Sequence, residues 1–235
     1  MKAKVFFFLC LMLSVVSCGS DDDGGSVNQP MSVSALFGHW TVEQVMVNQT
    51  WNSAQSAGLD GELIFTEDGY MSAFGRGGWD EYTYKDGNVL TYQYYGDFYS
   101  SFRFTNYDGM TADVHYVKVK SGGEYDLKVR QGSQDDVLCK DPMRFLEGVW
   151  DVDGGGSVEF VYDRPGGTAI IATDGASTKY YCKRSTDFIN YFYIVNPSGG
   201  VPYLIYLQDF ATDTRTLYIH HNTPIGGTAF RCMKR

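Results

Sequence analysis

Basic residues are scarce in this chain: 19 Lys and Arg stand against 28 Asp and Glu in 235 residues, a formal charge of −9. With no basic run to meet phosphates, nucleic acid is excluded as a partner class. Histidine is scarcer. His39, His115, His220 and His221 include no pair at helical metal-ligand spacing, and the adjacent two point to opposite faces of a strand. No metal site is expected. No apolar run reaches the roughly twenty residues of a membrane-spanning helix. No stretch sustains the helical period that crossover helices of a parallel sheet need. G-x-S-x-G, H-E-x-x-H and a phosphate-cradling glycine loop are all missing. Asp80 and Glu81 beside Trp79 are an acidic pair of glycosidase type, but strand neighbours face opposite ways and cannot act together. The expectation is a non-enzyme with no catalytic residue and no cofactor.

What is present is a hydrophobic fraction of 43%, enough for a folded core and too much for wholesale disorder. The chain opens with a short basic start and the apolar run Val5 to Val16, which suits the core of an export signal over residues 1–17. The run ends in Val15-Val16-Ser17-Cys18, which resembles the lipobox of bacterial lipoproteins. The resemblance implies cleavage before Cys18 and lipid on its thiol, with acyl chains binding a membrane by about 0.8 kcal/mol per buried CH₂. Ser20-Asp21-Asp22-Asp23 follows and resembles the surface-export signal of Bacteroidetes lipoproteins, implying display on the outer face of the outer membrane. Residues 18–33 read as a flexible acidic tether.

The remainder repeats itself. Leu36-Phe37-Gly38-His39-Trp40-Thr41-Val42 and Leu146-Glu147-Gly148-Val149-Trp150-Asp151-Val152 both read L-x-G-x-W-x-V. Gly61-Glu62-Leu63-Ile64-Phe65 parallels Gly156-Ser157-Val158-Glu159-Phe160, and each copy has a late cysteine near a base, Cys139 then Cys232. Both halves are rich in β-branched and aromatic runs separated by Asp68-Gly69, Asp86-Gly87, Asp108-Gly109, Gly122-Gly123, Asp174-Gly175 and Gly199-Gly200. These dipeptides take the positive φ of tight hairpins, so each half predicts an antiparallel meander of about eight strands. Closure into a barrel removes exposed edges. The expected fold is all-β: two tandem small barrels over residues 34–141 and 142–235.

The G-x-W near the first strand of each half resembles the opening motif of lipocalin and calycin barrels, and both halves resemble the lipocalin-like domains of Bacteroidetes lipoproteins. That resemblance implies that Trp40 and Trp150 each close one barrel end under a cation from the last strand. The candidates are Lys140 or Arg130 for Trp40, and Arg231 or Lys234 for Trp150. Each half is shorter than a true lipocalin, so an interior filled by side chains stands beside an open calyx as an expectation.

Function is read as non-catalytic binding of an unknown glycan or small apolar molecule. The alternative is a protein-facing role, as an inhibitor or adhesion component, through aromatic outer faces. The extra length of the first copy falls between Val45 and Gly61, where Ser53 to Gly58 predicts a helical turn or two across one barrel mouth. Trp51 in that segment is the leading contact candidate, joined by Trp79, Tyr84 and Tyr94 on tyrosine-rich strands. Cys139, Cys182 and Cys232 permit one bridge, Cys139 to Cys232, or stand as three small buried hydrophobes.

Overall fold

The computed structural model describes residues 30–75, 77–92, 98–119, 122–163, 167–173, 175–196, 198–199, 202–207, 215–221 and 229–235. The leader, Cys18, the tether up to residue 29 and Tyr94 lie outside them.

The chain forms two closed barrels of eight antiparallel strands. A single helical turn, α1 (Val33–Leu36), leads into β1 (Gly38–Val47). There follow β2 (Thr50–Ser53), β3 (Glu62–Phe65), β4 (Tyr70–Ala73), β5 (Asp80–Lys85), β6 (Asn88–Tyr92), β7 (Phe98–Thr105), β8 (Thr111–Lys118) and β9 (Gly123–Gln131). The last strand pairs back on β1, and β2 is an arm on the far half of β1, outside the closed ring. A second helical turn, α2 (Met143–Leu146), opens the other barrel. Its strands are β10 (Gly148–Val152), β11 (Ser157–Val161), β12 (Thr168–Thr173), β13 (Ala176–Arg184), β14 (Tyr191–Val195), β15 (Tyr203–Tyr206), β16 (Thr216–His221) and β17 (Ala229–Lys234). Predicted hairpin chemistry reappears at Asp86 (φ 49°) and Gly87 (φ 80°), both left-handed as a two-residue turn between β5 and β6 requires.

The two openings are built alike. Gly38 and Gly148 have φ of 114° and 117°, a conformation that swings the chain from the helical turn into the strand and that side chains resist. They pair with Phe65 and Phe160. Two residues on, each tryptophan is fully buried, and its indole N–H donates to the carbonyl four residues back: Trp40 to Leu36 at 2.8 Å, Trp150 to Leu146 at 2.7 Å. An exposed-end carbonyl of each short helix is thereby satisfied inside the core.

What covers each indole selects Lys234 over Arg231 for Trp150 and overturns both candidates for Trp40. Opposite Trp150 in the register stands Lys234, whose Nζ lies 5.4 Å from the indole ring and donates to the Phe145 carbonyl at 3.0 Å. Arg231 points outward, since β17 alternates and Cys232 faces the core, and it lies 3.9 Å from Asp153. Opposite Trp40 stands Gln131, a neutral residue, donating to the Ala35 and Phe37 carbonyls at 2.6 and 3.2 Å. Gln131 does for the first barrel what Lys234 does for the second. Arg130 is exposed and pairs with Glu43 at 2.5 Å. Lys140 lies beyond the last strand of the first barrel, 3.9 Å from Glu67.

The last strand of the first barrel thus ends at Gln131, short of the expected boundary at 141. Leu138 and Cys139 sit in a 3₁₀ turn of the connector and pack into the core of the second barrel. Cys139 and Cys232 are not counterparts: Cys232 pairs with Val152, and the matching pair in the first barrel is Val129 with Val42. All three described cysteines are buried thiols, so the Cys139–Cys232 bridge that the sequence permits is not formed.

The barrels are welded together. Ile64 from the outer wall of the first and Trp79 from the segment before β5 belong to the hydrophobic core of the second. Trp79 is 1% exposed and donates its indole N–H to the Ile189 carbonyl at 2.7 Å. Arg184 stacks on the Trp79 ring at 4.7 Å, donates to Asp68 through Nε and Nη2 at 2.8–3.0 Å, and donates to the Lys140 carbonyl at 2.7 Å. The chains approach so closely that a Cβ on Gly78 would fall 1.6 Å from the Thr186 carbonyl oxygen.

Candidate binding site at the mouth of the second barrel

Both barrels are closed by tryptophan at one end, so any opening lies at the other. In the first barrel that end is filled. Trp40, Phe65, Phe102, Phe104 and Tyr116 occupy the interior, with Trp40 to Phe104 at 5.4 Å and Phe102 stacked on Tyr116 at 4.6 Å. The inserted segment then seals the top. Ser53 accepts from the Ser56 N–H, the 3₁₀ turn Ala54–Ala57 follows, and Gly58 ends it in the left-handed conformation, φ 65°. Ala54, Ala57 and Leu59 pack on the core, and Leu127 beneath is fully buried.

Among the described residues the second barrel has no such segment. Between β10 and β11 it carries only the tight turn through Gly154, Gly155 and Gly156. Alternation along β17 turns Phe230, Cys232 and Lys234 inward, so Phe230 occupies the position that Leu127 holds in the first barrel. Phe230 is 38% exposed where its counterpart is buried. Under the turn lies a cavity of about 250 Å³ walled by Val152, Val158, Ile171, Tyr203, Ile219 and Phe230. Its rim holds Asp153, Gly154 and Gly155. Tyr180 meets Tyr203 edge-on at 5.9 Å, and the His221 ring lies 5.0 Å from Tyr203. Burial raises the Tyr203 hydroxyl above its usual pKa, with Tyr180 adding to the effect, so the ring stays neutral. This is an apolar socket with aromatic walls and one carboxylate at its edge.

The sequence-predicted contact residues that are described, Trp51, Trp79 and Tyr84, do not converge. Trp51 lies on the outer wall of the first barrel, opposite Met46, with Lys128 Nζ 4.9 Å from its ring. It borders a depression of about 220 Å³ with Asp113, His115 and Asp126. Trp79 is sealed between the barrels. Tyr84 donates its hydroxyl to the Met31 carbonyl at the closed end, holding the segment before α1. Its counterpart in the second barrel is Arg184, which ties down the connector in the same way. Phe230, Tyr203 and Ile171 were not singled out from sequence. The missing insertion after Val152 was the available signal, and it points to the second copy, not the first.

Reactive groups are few. Burial pushes the Cys139 and Cys232 thiols up to about 12, so neither is a thiolate at neutral pH. His39 sits between Glu62 at 2.9 Å and Asp136 at 3.1 Å, linking β3 to the connector. Among the described residues no group of three or more His, Cys, Asp or Glu is placed to hold a metal ion.

Comparison with family models, curated proteins and solved structures finds no match to this chain.

Proposed function

We propose that this protein is a non-catalytic binding module that holds a small apolar molecule in the mouth of its second barrel. The observation that carries this reading is the contrast within one chain. One copy carries a dedicated segment that buries Leu127, whereas in the other, among the described residues, Phe230 is 38% exposed and borders a cavity of about 250 Å³. An unfilled apolar socket costs stability unless something occupies it, because its lining loses contacts. Lipid on Cys18 would hold the module at the outer membrane, facing the exterior, a reading supported by the apolar run Val5 to Val16 and Ser17-Cys18. Mass analysis of membrane-bound protein against a Cys18→Ala variant tests the anchor.

Binding is tested with a neutral naphthalene-based probe whose emission rises in apolar surroundings. Emission is expected to rise with the parent chain and to vanish for Phe230→Glu and Ile171→Glu, while circular dichroism stays unchanged. Equal probe binding by both variants would refute the assignment.

A protein-facing role is the second reading, supported by a ladder of rings on the outer wall: Phe188 to Tyr191 at 5.9 Å and Tyr191 to Tyr206 at 5.1 Å. Stoichiometric capture of one protein, lost on Phe188→Ser with the mouth left intact, would favour it.

A further inference from the structure

We propose that the cleft between the barrels is a second binding site, and that it takes a small organic cation of the alkylammonium or trimethylammonium class. The cleft is an open depression of about 530 Å³ beside the turn between β3 and β4. The first barrel contributes Tyr70, with Tyr82 beside it turned inward on Phe65 and its hydroxyl donated to the Thr66 carbonyl, and the second contributes Tyr162. Glu67 and Glu81 complete the lining, with Asp68 and Gly69 in the turn itself. Tyr162 is 54% exposed, so its ring is open to a ligand.

The charge census decides the ligand class. Asp68 is cancelled by Arg184, and neither side chain reaches solvent. Glu67 is shared with Arg144 at 2.9 Å and Lys140 at 3.9 Å, both toward the connector. Glu81 is exposed and has no ion pair among the described residues. Among the described residues no basic side chain lines the cleft. The Tyr70 and Tyr162 rings, with a carboxylate that has no ion pair among the described residues, attract a cation through ring quadrupoles and charge together.

The walls are also held apart at a set distance. Arg184, Asp68 and Trp79 join the two barrels directly, so a ligand spends little of its binding free energy on bringing the walls together. A buried ion pair is a weak source of stability but a strong one of relative orientation, which suits a preformed cleft. This site is separate from the apolar mouth, which lies at the opposite end of the second barrel, and either can fail without the other.

The test uses the full chain and two probes of one shape: choline and its neutral isostere 3,3-dimethylbutan-1-ol. Titration followed by NMR should show choline binding at least about tenfold tighter than the isostere, and weakening as salt is added. Tyr162→Leu and Glu81→Gln should each weaken choline by about threefold or more with thermal midpoints unchanged, since both side chains are exposed. Equal binding of the two probes would overturn the proposal. So would undiminished choline binding in both variants, or saturation of the cleft by a neutral methyl glycoside with choline silent.

Discussion

Arg184 of the second barrel and Asp68 of the first meet at 2.8 Å with both side chains fully shielded from solvent. Removing one partner of a buried pair strands the other charge. Asp68→Asn is therefore expected to cost about 3–5 kcal/mol, read as a fall in the urea midpoint. The double variant Asp68→Leu, Arg184→Met should recover most of the loss, because no charge is left unpaired. An Asp68→Asn chain as stable as the parent would show that the pair does not join the barrels.

Gln131 and Lys234 hold matching places over the two tryptophans. Lys234→Met removes the donor to the Phe145 carbonyl and the cation over Trp150, an expected loss of about 1–2 kcal/mol. Gln131→Lys transplants the second barrel's arrangement into the first and should change stability by less than about 1 kcal/mol. Chemical denaturation of both variants checks the equivalence. A large loss for Gln131→Lys would count against it.

The inserted segment of the first barrel is a plug, so its removal is expected to damage the fold and spare the ligand. Replacing residues 48–58 with a short glycine turn should expose Leu127 and Val45, lower stability by roughly 2–4 kcal/mol and increase dye binding to exposed apolar surface. Probe affinity at the second mouth should be unaltered. Loss of that affinity with the fold intact would return the binding site to the first barrel.

Two aspartates set opposite slopes in acid. Asp108 accepts from the Thr111 hydroxyl and from the Thr111 and Met110 N–H groups, which lowers its pKa from 3.8 to about 2. Its contribution is present above the unfolded value and is lost as pH falls from about 4 toward about 2. Asp141 is raised, chiefly by burial, despite the Met143 N–H that it accepts. Folded protein therefore holds that proton more tightly than unfolded chain, and stability falls as pH rises through its pKa. Asp141→Asn should flatten the second slope, and Asp108→Asn the first, in denaturation midpoints taken between pH 2 and pH 6. An unchanged profile in both variants would refute these roles.

Local pattern carried much of this fold. Alternation of two along β1, β6 and β8, with Asp-Gly turns between strands, specifies antiparallel hairpins, and the repeated G-x-W marks two equivalent starts. The length difference after Val45 located the inserted turn and its Gly58 cap. Such features depend on neighbours in the chain, so residue order alone determines them.

Tertiary structure decided the rest. Period two assigns Ile64 to an outer wall but is silent on what the wall meets, and here Ile64 meets the second barrel's core together with Trp79 from the segment before β5. Arg184 reads as a strand-end base until Asp68, far back in the chain, is brought against it. Trp51 looked like a rim residue because tryptophan in an insertion suggests contact; its strand instead pairs with β1 and turns the ring outward under Lys128. Which mouth is sealed depends on how Ala54 and Leu59 pack on residues remote in sequence. Burial and long-range pairing are properties of the closed surface, and they exist only once the strands have come together.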